Sequence, residues 1–452
     1  MVWQEFSFGG AMVPCDLDFQ ENVRAEAVEQ VRRLRNHPAL VLWCGNNEVE
    51  TGWDSWGDRL EFKKSIRSEQ RERVWQDYVV MFRDILKSAV TGYGNGVPYW
   101  PSSPGADFED QANSYRNGDV HYWSVWSGKG EPIEEYRNQT PRFMSEYGFQ
   151  SMPDLRTIRA FAGDSKDLRS PAMLNHERYI NGFDRMQKYL AEYYRPPRDF
   201  AAFVYLSQVM QAEAIKTAAE HLRSEMPRTM GSIYWQLNDC WPVASWSSID
   251  YFGRWKALQY YARRFYAPVL VAPVFNDGRI VVKVVSNRQS SFPAELRLRL
   301  MDMRGKVVAE RTQSISIAAL GSTAAMDFSA ADFPGFDPAN TFAVLELVEG
   351  KKQIARNVLY FARPRDLNLP TPHLTAEIAV DRTGYEVRVS SDTLARDVAV
   401  SFENLDAEPS DDYFDLLPGE TGDLHVFSKA NFAALKAAIN VVSLADAVTP
   451  AR

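Results

Sequence analysis

For roughly its first 265 residues this chain alternates short apolar runs with long amphipathic segments, and after Ala267-Pro268 the alternation stops. That switch constrains the fold more than any other feature. An apolar run followed by a segment of 3.6-residue periodicity signals parallel strands joined by covering helices. Closely spaced strands with turn residues between them signal antiparallel sandwiches instead.

Before the switch, Val23, Ala27, Val31 and Leu34 form one helical stripe, and Trp75, Val79, Phe82 and Leu86 form another. A third helix is expected from about Phe200 to Arg223. Strand candidates are Val2–Phe8, Leu40–Cys44, Tyr99–Pro101, Val120–Trp123, Phe143–Ser145 and Ser232–Gln236. A closed barrel of this type needs eight strands. The expectation over residues 1–265 is therefore an incomplete (β/α)8 TIM barrel with about six of its eight strands.

After the switch come Val269–Ala272, Arg279–Val285, Ala294–Met301, Lys306–Glu310, Thr341–Glu349 and Asn357–Phe361. Asn276-Asp277-Gly278, Arg304-Gly305 and Glu349-Gly350 supply turn chemistry between them. This predicts an immunoglobulin-like β-sandwich over 266–363. Pro273 should end its first strand, since it cannot donate to a ladder. Pro364 to Pro372 reads as a linker, and 373–452 as a second β-rich, immunoglobulin-like domain that is truncated. A multidomain chain suits 452 residues.

Two of the early apolar runs empty into a glutamate: Leu40-Val41-Leu42-Trp43-Cys44-Gly45-Asn46-Asn47-Glu48, and Phe143-Met144-Ser145-Glu146. The C-terminal end of a buried strand is where an α/β barrel keeps its chemistry. Two carboxylates facing one pocket are what glycosidic hydrolysis requires. One protonates the leaving oxygen and the other, in the retaining version, attacks from about 5–5.5 Å away. The acid must keep its proton until used, which burial and neighbouring negative charge arrange. Asn46 and Asn47 add amides beside Glu48, and the Tyr147 phenol is placed to hold the Glu146 carboxylate. Glu50, past the strand end, is the weaker candidate. Glu213 and Glu220 on the third helix read as a solvated face or a salt-bridge row.

Composition narrows the classes. All 12 tryptophans precede residue 266; they serve as core or as flat apolar faces on which a sugar ring stacks. A net charge of −8 without a basic patch excludes nucleic acid. No run of about 18 apolar residues exists to span a membrane. Cys15, Cys44 and Cys240 lack disulfide or zinc spacing and read as buried free thiols. His37, His121, His176, His221, His373 and His425 show no paired ligand spacing, so no metal or cofactor is expected.

Four ordered strings carry a resemblance. Trp43-Cys44-Gly45-Asn46-Asn47-Glu48 resembles the acid/base motif of β-mannosidases in glycoside hydrolase family 2, and Ser145-Glu146-Tyr147-Gly148-Phe149-Gln150-Ser151 resembles that family's nucleophile segment. Gly118-Asp119-Val120-His121-Tyr122-Trp123-Ser124-Val125-Trp126 and Tyr234-Trp235-Gln236-Leu237-Asn238-Asp239-Cys240-Trp241-Pro242 agree.

The resemblance implies that Glu48 is the general acid/base, Glu146 the nucleophile, and Asn47 a contact to the 2-hydroxyl. Trp56, His121, Trp123, Tyr147, Trp235 and Asn238 would complete the sugar pocket, with Trp123 and Trp126 open to a packing role and Asp239 bracing a loop. The implied activity is retaining, exo-acting removal of terminal β-D-mannose from β-mannosides or mannose-containing oligosaccharides. The alternatives are another family 2 exo-glycosidase of β-galactosidase, β-glucuronidase or glucosaminidase type, or a non-catalytic carbohydrate-binding fragment. Family members carry further domains and two barrel strands upstream. The resemblance thus implies a start at strand three, a missing N-terminal segment of the same enzyme as partner, and an isolated chain that is poorly soluble or inactive. Family habit and the free cysteines leave the compartment open, with periplasm or cell exterior slightly favoured over cytosol.

Overall fold

The computed structural model describes residues 1–450, which divide into two compact units. The first comprises Met1–Trp123, Gln139–Tyr147 and Arg228–Ile233; the second comprises Ser124–Asn138, Gly148–Pro227 and the chain from Tyr234 onward.

In the first unit, strands β1 (Val2–Glu5), β2 (Leu40–Cys44) and β3 (Tyr99–Trp100) form a parallel sheet in that order. Strands β4 (Val120–His121) and β5 (Met144–Glu146) form a parallel pair, and Ser232 bridges to the far side of Met144. The helix Leu17–Leu34 starts at Asp16, whose carboxylate accepts from Phe19 N at 3.0 Å, and it buries Val23, Ala27 and Val31. The second expected stripe lies on Ser68–Val79, which continues through a wider turn at Val80–Ile85 into Leu86–Tyr93. These helices close a core containing Val31, Leu40, Trp43, Phe82 and Leu86. Trp43 stacks on Phe6 with ring centroids 5.1 Å apart.

The expected strands shorten at their C-terminal ends. Val2–Phe8 pairs only to Glu5, Tyr99–Pro101 to Trp100 and Val120–Trp123 to His121, while Phe143–Ser145 moves on by one residue and Ser232–Gln236 shrinks to a bridge at Ser232. Main-chain bonding continues irregularly past these ends, with Asn47 N donating to Phe8 O at 2.9 Å and Glu48 N to Ser103 O at 2.7 Å. Pro101 has no N–H, and its carbonyl accepts from the Asn46 amide.

The second unit carries the long helix Phe200–Ser224, whose first turn is capped by Asp199 accepting from Ala202 N at 2.8 Å. Of the two readings of its Glu213 and Glu220, the salt-bridged one holds and the solvated face does not. Glu213 pairs with Arg396 at 2.9 Å, and Glu220 accepts from Asn357 Nδ2 at 2.9 Å with Lys216 at 3.6 Å. The helix is buried almost all round, so these charges face neighbours rather than water.

Seven antiparallel strands follow: β6 (Val269–Asn276), β7 (Arg279–Ser286), β8 (Phe292–Asp302), β9 (Val307–Ile317), β10 (Gly321–Ser329), β11 (Thr341–Glu349) and β12 (Lys352–Tyr360). They lie in two sheets, β10-β7-β6 and β12-β11-β8-β9, around Val282, Val284, Leu296, Leu298, Leu345 and Leu347. Asp277 and Gly278 turn β6 into β7 with φ of 48° and 74°, as a two-residue hairpin with both central residues left-handed requires. Pro273 does not end β6. It pairs opposite Val282 on an edge strand, where its missing donor costs no ladder bond. The Ala- and Ser-rich β10 escaped the sequence pattern because little in it favours a pleated surface.

Residues Pro364–Asp366 form a single 3-10 turn, and the expected linker is tied down: Leu367 is buried and its carbonyl accepts from Arg195 at 2.9 Å. Two further sheets follow, one of β13 (Leu374–Asp381), β14 (Gly384–Ser391), β18 (Thr421–Ser428) and β16 (Ala407–Pro409), the other of β17 (Phe414–Leu416), β15 (Ala395–Phe402) and β19 (Ile439–Val442). They enclose Val387, Val389, Val398, Val400 and Val426. Of the thiols, Cys44 is buried, Cys15 half-buried and Cys240 exposed, so burial holds for one of the three. Among the described residues no helix is long and apolar enough to cross a membrane.

Candidate active site

Strand β2 runs into a tightly braced loop. A Cβ at Gly45 would collide with the Pro101 carbonyl and the Tyr99 hydroxyl, so only glycine lets the chain pass. Asn46 is fully buried; its amide donates to Pro101 O at 2.9 Å, and its Oδ1 accepts from Ser102 Oγ at 2.9 Å and Val49 N at 3.1 Å. It braces the loop. Asn47 is fixed by its main chain, bridged to Gly9 on one side and Ser103 on the other, and its side chain makes no hydrogen bond among the described residues. Glu48 then takes a left-handed backbone, φ 58°, at the entrance to the helix Val49–Ser55. A non-glycine residue held there costs on the order of 1 kcal/mol.

On the second sheet, the register sets His121 opposite Glu146. His121 Nδ1 lies 2.9 Å from Glu48 Oε1 and 3.4 Å from Glu146 Oε2, so the two carboxylates converge on one nitrogen. Trp123 Nε1 donates to Glu146 Oε2 at 3.1 Å. The Glu48 and Glu146 side chains keep 20% and 14% of their surface while His121 keeps 3%, so the carboxylates face outward and the imidazole lies behind them. The donor atoms of these three residues lie within 4.8 Å of one another, the one such His, Cys, Asp or Glu trio among the described residues. The His121–Glu48 hydrogen bond and the 3.4 Å approach of Glu146 to the same nitrogen account for the convergence.

Burial pushes the Glu146 carboxyl up to about 7; Glu48 adds to the rise, while His121 and the Trp123 N–H oppose it. Burial works against a charged His121, but the hydrogen bond to Glu48 and the charges of Glu146, Glu48 and Asp119 outweigh it and leave its pKa above the ordinary value. Burial also raises Glu5, against the pull of His121.

Sequence reasoning missed the layer beneath. Asp119, 3% exposed, accepts from Ser103 Oγ at 2.7 Å, Ser145 Oγ at 2.5 Å, Gly105 N at 2.9 Å and Trp100 Nε1 at 3.1 Å. Ser103 Oγ is also 3.0 Å from His121 Nε2, and Asn113 Oδ1 accepts from His121 N at 2.8 Å. The one available signal was Asp119 inside the string that holds His121; the serines carried none.

The remaining candidates scatter. Trp56 is half-buried at the end of the helix Val49–Ser55 and packs over Gly10. Tyr147 is fully buried and donates to Ser232 Oγ at 3.3 Å; the contacts that hold the Glu146 carboxylate come from Trp123 and His121. Glu50 is buried, accepts from the Tyr78 hydroxyl at 3.2 Å, and is raised by burial to about 7. Trp235 and Asn238 are exposed residues of the second unit. There, buried Asp239 accepts from Ser245 and Ser247 at 2.7 and 2.6 Å and so braces its loop, and Trp126 is core, packed on Phe149 and Tyr189.

Comparison with known proteins shows what the chain resembles as a whole. Residues 278–366 match the model of the Mannosidase Ig/CBM-like domain and residues 369–447 that of an Ig-fold domain. The β-mannosidase of Rattus norvegicus is 32% identical over 326 residues, 66% of this chain and 36% of the relative. β-Mannosidase A of Aspergillus terreus is 31% identical over 432 residues, 83% of this chain and 45% of the relative. Among solved structures, the β-D-mannosidase from Dictyoglomus thermophilum superposes with a TM-score of 0.85 at 30% identity, over 98% of this chain and 53% of that one. An exo-chitosanase from Amycolatopsis orientalis, at 18% identity and a TM-score of 0.67 over 95% of this chain and 54% of that one, shares the fold. The chain thus spans between about a third and a half of the length of the relatives it matches. In sequence and in fold it is a β-mannosidase-like protein of glycoside hydrolase family 2.

Proposed function

We propose that this chain supplies the two catalytic carboxylates of a retaining exo-glycosidase that removes terminal, non-reducing β-D-mannose by double displacement. The observation that carries the reading is the convergence of Glu48 and Glu146 on His121 Nδ1. Oxygens this close belong with the short carboxylate spacing of retaining enzymes rather than the 6.5–9.5 Å or so that leaves room for water in inverting ones. In this reading Glu146 attacks the anomeric carbon while Glu48 gives its proton to the departing oxygen. Glu48 then takes a proton from water, whose oxygen attacks the anomeric carbon and releases the mannosyl group from Glu146. Trp123 orients the nucleophile through its indole N–H, and the unbonded Asn47 amide faces the role of contacting the sugar's 2-hydroxyl. No metal or cofactor enters these steps.

The same reading treats residues 1–265 as part of a (β/α)8 barrel of about six strands, followed by immunoglobulin-like domains over 266–363 and 373–452. Because the matched relatives are longer, the activity is proposed for the enzyme to which this chain contributes, with a further segment of that enzyme as partner. The test is trapping with a 2-deoxy-2-fluoro-β-mannosyl fluoride, followed by peptide mass spectrometry. The expected label sits on Glu146 and is absent in Glu146→Gln. A label on another residue, or galactoside- or glucosaminide-configured reagents labelling faster, would overturn the mannosidase assignment.

A further inference from the structure

Ser103 Oγ has one hydrogen and three acceptors in reach: Asp119 Oδ2 at 2.7 Å, His121 Nε2 at 3.0 Å and Ser145 Oγ at 3.3 Å. The carboxylate is both nearest and charged, and charge-assisted bonds are the stronger ones. Asp119 receives three other donors, from Ser145, Gly105 and Trp100, which keeps it an acceptor. With its hydrogen given to Asp119, Ser103 can offer His121 only a lone pair. Nε2 must therefore carry a hydrogen.

The other ring nitrogen then has a problem that fixes the proton count. Neutral imidazole protonated on Nε2 presents a bare lone pair at Nδ1, and two carboxylate oxygens stand against that lone pair. Three acceptors facing one another repel. One proton placed among them, on Nδ1 or on a carboxyl oxygen, turns repulsion into hydrogen bonding. The charged groups facing His121 are Glu5 from β1, Glu48 after β2, Asp119 before β4 and Glu146 on β5, all acidic.

We infer that Asp119, acting through Ser103, is a positioning residue: it sets the His121 hydrogen on Nε2 and so keeps one proton among His121 Nδ1, Glu48 and Glu146. This rests on the proposed function, and it supplies what that function lacks. Double displacement begins with one proton over two carboxylates, on the acid and absent from the nucleophile. The pair alone does not dictate that count, whereas an imidazole of fixed tautomer does.

The test is nitrogen-15 NMR of the histidine rings in the full chain, with His121→Gln assigning the signal, for the wild type, Ser103→Ala, Ser103→Thr and Asp119→Asn. The wild type should show Nε2 protonated from about pH 5 to 8. Ser103→Ala should shift the His121 midpoint by about one pH unit, a tenfold change in the protonated ratio, and Ser103→Thr should restore it. Ser103→Ala removes one hydroxyl and serves if Asp119→Asn misfolds. A wild-type Nε2 without hydrogen, or a midpoint that Ser103→Ala leaves in place, overturns the inference. The readout needs no turnover, so it separates from the function itself: label on a residue other than Glu146 sinks the mechanism while the tautomer result stands.

Discussion

The strand ends of the first unit and the sandwich of β6 to β12 use opposite means to hold their shape. Between Val269 and Tyr360 the buried polar residues are Ser286 and Thr341, and the interior is otherwise apolar. Between Leu40 and Glu146 the buried polar residues are Asn46, Glu50, Thr51, Ser102, Ser103, Asp119, His121, Gln139 and Ser145. The sandwich gains from apolar area removed from water, a diffuse term spread over many side chains. The strand ends hold charges that are costly to bury unless each is hydrogen-bonded, so their geometry is all or nothing. Stability and chemistry are thereby assigned to different stretches of one chain.

Substitutions should expose that division. On the proposed function, the largest effect is expected for Glu146→Gln and Glu48→Gln, each lowering aryl β-mannoside hydrolysis by the enzyme to which this chain contributes by about 10³-fold or more with no loss of folding. Turnover that survives either change would dissolve the contrast. Leu298→Ala, at a fully buried position, should act the other way. It should cost about 2–5 kcal/mol in denaturant titration and leave the His121 ring signals unmoved.

Glu50 gives a pH-dependent test. Its folded pKa of about 7 stands above the ordinary 4.5 because it is buried, so the folded form binds more protons in between. The stability it contributes is full below about 4.5 and is lost as pH rises through about 7. Glu50→Gln should flatten that fall, by on the order of 1–3 kcal/mol in total, in unfolding curves compared at either end of the window. An unchanged slope would count against burial as the cause. Smallest is Arg279→Ala. The Arg279–Asp327 pair at 2.5 Å is half exposed on both sides, and its loss should move the unfolding midpoint by less than about 1 kcal/mol.

Much of the skeleton was legible because periodicity is a local property. Leu40–Cys44 is a strand to the residue, and Val23, Ala27 and Val31 face the core of their helix as spaced. What failed did so for want of neighbours. Pro273 was read as a stop because an edge strand looks like any other strand until its partners are known. Glu213 and Glu220 stayed open between a solvated face and a salt-bridge row because their own helix shows Lys216 but not Arg396 or Asn357 beside them. The two glutamates were legible as strand-end carboxylates. The Asp119 layer was not, since its donors come from two separate stretches, Trp100–Gly105 and Ser145, and none is unusual in type.

By itself, then, the order of residues settled the main helices and many of the strands, where the chain changes from βα rhythm to antiparallel sheet, and that two apolar runs lead into carboxylates. Tertiary structure alone decided that those carboxylates share one imidazole nitrogen, that burial raises Glu146, and that Asp119 fixes the donors behind them. The reason is one of range. Backbone periodicity is written in steps of two or four residues, while desolvation and hydrogen-bond direction depend on atoms that only folding makes neighbours.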